Sequence, residues 1–130
     1  MKIPEKLPEE LKLPQEFKTK WLNALRSGNY KQGRNMLVQT SKDLGSLYCC
    51  LGVAGAICDI DDDRMEGLAA FNGPNECLFK DTSLPNFFIR PSAAQTTVLN
   101  YLMGMNDGND YDDRSPLSFD EISTWIEANL

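Results

Sequence analysis

Trp21–Asp59 reads WLNALRSGNYKQGRNMLVQTSKDLGSLYCCLGVAGAICD, and the fold turns on how this stretch is read. It opens as an amphipathic helix. Phe17, Trp21, Leu22 and Leu25 fall at i, i+4, i+5 and i+8, while Lys18, Lys20 and Asn23 face the other way. The spacing predicts a helix from Pro14 to about Ser27, with proline in the first turn, Arg26 complementing the dipole in the last, and Gly28 as the left-handed stop. Asn29–Arg34 reads as a turn, Met36–Thr40 as a short strand, and Ser41–Ser46 as a polar loop. Leu47–Cys58 then carries no charge at all. Its length favours a buried helix with a strand-like lead-in, and Gly52, Ala54, Gly55 and Ala56 would let another element come close. At ~25 cal/mol per Å² of apolar area, burying this segment stabilises the fold by several kcal/mol. It is the expected core.

Outward from that core, Asp59–Asp63 ends the apolar run abruptly. Between Met65 and Ile89, glycine and proline divide three apolar pieces, Gly67–Phe71, Cys77–Phe79 and Phe87–Ile89. These read as two or three short strands joined by turns at Asn72–Asn75 and Leu84–Asn86. Helix returns afterwards. Ser92 with Gln95 forms a capping box ahead of Val98, Leu99, Leu102 and Met103, and Gly104 or Gly108 ends that helix. Ser118 with Glu121 forms a second box ahead of Phe119–Asn129, whose buried face is Phe119, Ile122, Trp125 and Ile126. Prolines at 4, 8 and 14 keep a helix from propagating through residues 1–14, which read as an arm, packed on the surface or ordered by a partner. The expected architecture is α+β: one domain over residues 15–130, with three or four helices packed with a small, mainly antiparallel sheet.

Composition narrows the function more than it defines it. The 130 residues include 13 Lys and Arg against 19 Asp and Glu, a net charge of −6. That balance speaks against a broad contact with nucleic-acid phosphates. Histidine is absent, which removes the commonest general base and metal ligand and the usual partner of a serine or cysteine nucleophile. No apolar stretch follows Met1–Lys6 as a signal peptide would require, and Leu44–Cys58 is too short to span a bilayer. The expectation is an intracellular protein with no membrane contact, whose four cysteines are reduced.

Three constellations remain. Cys49, Cys50 and Cys58, with Asp59 or Cys77, offer thiolates for a metal, but adjacent cysteines do not easily reach one ion, and buried thiols also serve as small apolar side chains. A thiol nucleophile needs an electropositive setting that this uncharged flank lacks. Asp59, Asp61, Asp62 and Asp63, then Asp107, Asn109, Asp110, Asp112 and Asp113, form two oxygen-rich loops. Asp110, Asp112 and Glu121 suggest a calcium loop, which Arg114 and Ser115 spoil; solvated loops at helix ends are the plainer reading, with a weak cation site over Asp59, Asp61, Asp107, Asp110 and Asp112 as the other. The third is the turn Arg26–Arg34. Arg26, Tyr30, Lys31, Gln32 and Arg34 are compressed there with two glycines, Gly28 and Gly33. Such a turn either presents cations, backbone N–H groups and an aromatic face to an anionic ligand, or braces the next strand. No cofactor is called for.

Three segments of the chain form a recurring pattern. They are Trp21–Gly33 with A-L-R-S-G-N-Y-K-Q-G, Tyr48–Val53 with Y-C-C-L-G-V followed by Cys58-Asp59, and Met105–Asp107 followed by S-F-D-E-I at Ser118–Ile122. In this order they resemble a widespread family of small, mostly uncharacterised proteins of tailed bacteriophages and prophages. Within that pattern, Gly55-Ala56 lengthens the segment before Cys58, and Asn109–Arg114 lengthens the late loop. The resemblance implies an accessory role in the host cytoplasm and carries no catalytic residue with it. Together with the residues, it leads to the expectation of a non-enzymatic protein that binds a host or defence-related target, a protein or a small nucleotide-like anion. A small metal-dependent enzyme built on the aspartate loops and a virion or assembly component stand as alternatives. The state of oligomerisation stays open.

Overall fold

Pro14 sits at the N-cap of the first helix, α1 (Gln15–Arg26), and Gly28 follows its end at φ +78°, a conformation glycine adopts without strain. These elements belong to a computed structural model that describes residues 12–108 and 115–130. The expected arm, residues 1–14, lies outside the described residues up to residue 11. Leu13 is buried, and its N–H donates to the carbonyl of Leu130, tying the start of the described chain to its end.

Three strands follow: β1 (Lys31–Gln32), β2 (Val38–Ser41) and β3 (Gly45–Tyr48). The sheet order is β1-β3-β2. β2 and β3 pair antiparallel from Val38↔Tyr48 to Ser41↔Gly45, a hairpin closed by the turn at 42–44. β1 lies parallel to β3, with Lys31 opposite Leu47 and Gln32 opposite Tyr48. The sheet is therefore mixed, its longer pairing antiparallel. β1 lies within the segment expected to be a turn, and β2 starts at Val38 rather than Met36.

The uncharged segment divides as its length and lead-in suggested. Its first residues finish β3, and α2 (Cys50–Ala56) follows with Cys50 to Gly55 all buried. Close approach explains its small residues. A Cβ on Gly52 would lie 1.9 Å from the carbonyl oxygen of Leu37, and one on Gly55 would meet Met65 and Phe71. The indole of Trp21, fully buried on α1, donates to the carbonyl of Cys50 at 3.0 Å.

The region 65–89 differs from expectation. In place of strands it forms short helical turns: α3 (Asp62–Met65), a 3₁₀ turn (Gly73–Asn75), α4 (Glu76–Phe79) and α5 (Asn86–Ile89). Each apolar piece is too short for periodicity to separate a strand from one helical turn. Pro74 lies in the first turn of the 3₁₀ segment and Pro85 is the N-cap of α5, positions where a missing N–H costs nothing. Among the described residues the only ladder contact this region makes is an isolated bridge from Glu66 to Val38. Its aromatic rings close the core from below, with Phe71 edge-on to Phe79 and Phe88 edge-on to Trp21.

α6 (Ala93–Asp107) and α7 (Phe119–Asn129) complete the fold, and both predicted capping boxes are formed. α6 runs through Gly104 and stops at Gly108. α7 packs on α1, and α6 on α2. Among the described residues no helix is long and apolar enough to cross a membrane.

Candidate functional site

In the polar turn after α1, Arg26, Lys31 and Arg34 are exposed while Tyr30 and Gln32 are half-buried, and several of these side chains bond to other elements of the fold. The Arg26 guanidinium donates through Nε to Ser123 Oγ at 3.0 Å and lies 3.2 Å from Glu127 Oε2, both on α7. The hydrogen bond from Arg26 holds the Glu127 carboxyl below its ordinary value. Lys31 Nζ donates to the carbonyl of Leu44 at the hairpin turn. Tyr30 is half-buried with its ring edge-on to Tyr48, centroids 5.1 Å apart. Gln32 donates to Asn106 Oδ1 at 3.0 Å and to the Leu117 carbonyl at 2.7 Å. Arg34 is exposed. Arg26, Tyr30 and Gln32 do border a hollow of about 300 Å³, but Asp120 stands on its rim, and that carboxylate opposes an anion there.

Asn106, fully buried on α6, is the centre of this arrangement. Its Oδ1 accepts from Gln32 Nε2 and from the Cys50 N–H at 3.1 Å. Its Nδ2 donates to the Gly33 carbonyl and to Asp107 Oδ1, each at 2.9 Å. Asp107 in turn accepts from the backbone N–H of Asn35, which sits at φ +71°. One side chain thus joins β1, the start of α2 and the end of α6. Every donor and acceptor of its amide is used, which is the condition under which a buried polar group helps rather than harms a core.

The adjacent cysteines have separate structural duties. Cys49 Sγ accepts from the Gly52 N–H and caps α2, while Cys50 Sγ donates to the Leu102 carbonyl. Burial pushes the Cys49 thiol up to about 11 and the Cys50 thiol well above its ordinary value. Cys58 is half-buried and also raised by burial, opposed by a hydrogen bond with Ser83; Cys77 is exposed. Thiols held in their neutral form are poor nucleophiles and poor metal ligands.

The two aspartate loops do different work. Asp59 takes φ +62° where α2 ends, and its N–H returns to the Ala56 carbonyl. Asp62 accepts from Ser46 Oγ at 2.7 Å and from Tyr48 Oη at 2.8 Å. Burial, then the Asp62 hydrogen bond, pushes the Tyr48 phenol up to about 12. Asp59, Asp61, Asp62 and Asp63 line an open hollow of about 580 Å³ with Tyr30 and Tyr48. Asp107 belongs instead to the Asn106 network, and Asp110 and Asp112 lie outside the described residues. Among the described residues no three Cys, Asp or Glu side chains come together as a metal site.

A family model described as a domain of unknown function (DUF8296) matches residues 13–69. No curated protein and no solved structure matches the chain. The matched span runs from Leu13 through α1, the sheet, α2 and α3, so it contains Arg26, Gln32, Gly33 and Cys50 but not their partners Asn106 and Ser123.

Asn106 and Ser123 were missed as key residues, although a signal for each was present. Asn106 follows Leu99 and Leu102 on the apolar face of α6 at i+7 and i+4, and Ser123 follows Phe119 at i+4. A polar residue placed on an apolar stripe needs a buried partner. Gln32 and Arg26 were the partners waiting in the turn.

Proposed function

We propose that this chain is a non-enzymatic accessory protein of phage origin that acts in the host cytoplasm by binding a protein target. One observation supports this reading above the others. The polar side chains best suited to chemistry, Arg26, Lys31, Gln32, Asp62, Asp107 and the Cys49–Cys50 pair, are already engaged by the fold's own donors and acceptors. Arg26 and Lys31 are exposed, but a small nucleotide-like anion would compete for their donors with Ser123, Glu127 and the Leu44 carbonyl. A protein target asks only for a stable surface, which such bracing provides.

The test is in-cell crosslinking of the tagged full-length chain followed by denaturing purification. A discrete protein partner, recovered in near-stoichiometric amount and retained by Lys31→Ala, is the expected result. Recovery of the chain with no crosslinked protein, together with a co-purifying phosphorylated small molecule that Lys31→Ala releases, would overturn it.

A further inference from the structure

α6 and α7 meet along a groove of about 530 Å³ on the side of α7 away from α1. Tyr101 and Met105 of α6, Leu117, and Trp125 and Ala128 of α7 line it, and more of that lining is apolar than polar. The rings of Tyr101 and Trp125 lie 5.3 Å apart at 45°, both half-buried. At one end the Leu117 N–H donates to the Met105 carbonyl at 2.7 Å, which fixes the two walls together. The groove is therefore a formed feature, with two aromatic rings turned partly to solvent over the buried Met105.

Its charge has one sign. Among the described residues Glu121 is the one charged side chain on its lining, and neither α6 nor α7 contains a lysine or arginine. Arg26 reaches α7 only at Ser123 and Glu127, which the helical period places on the opposite side from Glu121, Trp125 and Ala128. A chain of net charge −6 adds to the same potential.

We propose that this groove receives an amphipathic, basic helical segment of a partner protein. Its apolar side chains would lie on Tyr101, Leu117 and Trp125 with Met105 beneath them, and a lysine or arginine beside Glu121. Laying an apolar helix face into a groove is a recurrent mode of recognition; aromatic anchors supply its affinity, and opposite charge its orientation and encounter rate. The methionine adapts the floor to the side chains it meets. This inference rests on the protein-binding reading proposed above and adds the face and the chemistry of the partner.

The probe is an amidated leucine–lysine peptide about four turns long, with a leucine–glutamate peptide of the same pattern as control. Tryptophan emission of the full-length chain reports binding, because Trp21 is fully buried and Trp125 is not. A saturable change with the lysine peptide is expected, with binding weaker by about tenfold or more for the glutamate peptide and for Ala128→Arg. Ala128 is exposed, and Thr124→Arg on the same exposed face serves if the first variant does not fold. The Asp61→Lys/Asp63→Lys pair, away from the groove, should bind as the parent does. Equal binding of both peptides, unchanged binding by Ala128→Arg, or loss only in the aspartate pair would overturn the proposal. So would a dimer that Ala128→Arg dissolves, or Trp125 emission that shifts on removal of residues 1–11, since these assign the groove to a second copy or to the chain's own arm. If a partner crosslinked in cells is retained by Ala128→Arg, the groove fails and protein binding stands. If the parent chain captures no protein, the binding reading itself fails.

Discussion

Replacing Asn106 by leucine keeps the shape of the side chain and removes all of its hydrogen bonds. Gln32 keeps its bond to the Leu117 carbonyl and Asp107 keeps the Asn35 N–H, so two groups are orphaned: the Cys50 N–H and the Gly33 carbonyl. A buried unsatisfied group costs about 1–3 kcal/mol, giving roughly 2–6 kcal/mol for the pair. Burying the leucine returns about 1–2 kcal/mol, so with the middle of each range the net loss is about 2.5 kcal/mol. With an m-value of about 2 kcal/mol per M, the urea midpoint falls by roughly 1 M. Equilibrium unfolding followed by Trp21 emission measures it. A midpoint within about 0.3 M of the parent would refute the assignment of Asn106 as the joint between β1, α2 and α6. Asn106→Asp supplies an independent check. Its carboxylate would face the Gly33 carbonyl and Asp107, so the folded state favours the protonated form and raises its pKa above the unfolded value. The native state then binds more protons than the unfolded one, and stability falls as pH rises between those two values. The deficit relative to the parent should therefore shrink on acidification, and a deficit that does not change with pH would count against the geometry.

Gly52→Ala forces a methyl into the Leu37 carbonyl, and a loss of about 3 kcal/mol or more, or failure to accumulate as folded protein, should appear in thermal melts. Alkylation of the native chain near pH 8, followed by mass spectrometry of peptides, should modify exposed Cys77 first and Cys58 more slowly, leaving Cys49 and Cys50 protected until denaturant is added. Early labelling of Cys49 or Cys50 would contradict the buried caps. In an ultraviolet titration one of the four tyrosines should ionise only near pH 12, and that step should vanish in Tyr48→Phe. Because the folded value lies above the ordinary one near 10, the stability Tyr48 contributes is complete below pH 10 and is lost as pH rises toward 12.

Much of the helical frame was readable because its signals are local. The apolar stripe of α1, the serine-based capping boxes of α6 and α7, and the uncharged run that becomes α2 each sit within one element. The helical turns between 62 and 89 were not readable, since a four-residue apolar piece such as Asn86–Ile89 carries no period, and its helicity comes from packing Phe87 and Phe88 into the core. β1 was missed for a related reason. Two residues make no pattern, and Lys31–Gln32 is a strand only because Leu47 and Tyr48 lie beside it. The polar turn showed its residue types and hid its partners. Arg26 and Gln32 reach Ser123 and Asn106, far along the chain, and the same side chains that resemble a ligand cradle in sequence are the brace between the two ends of the fold.

In the function we propose, these polar residues hold the fold and the protein acts through a surface that meets another protein. A native mass spectrum of the full-length chain, freshly isolated from cells with and without chelator, tests it most directly. The expected spectrum is the bare chain at 14.6 kDa, alone or with the added mass of a protein, unchanged by chelator. An added mass of nucleotide size, or one that chelator strips, would contradict it.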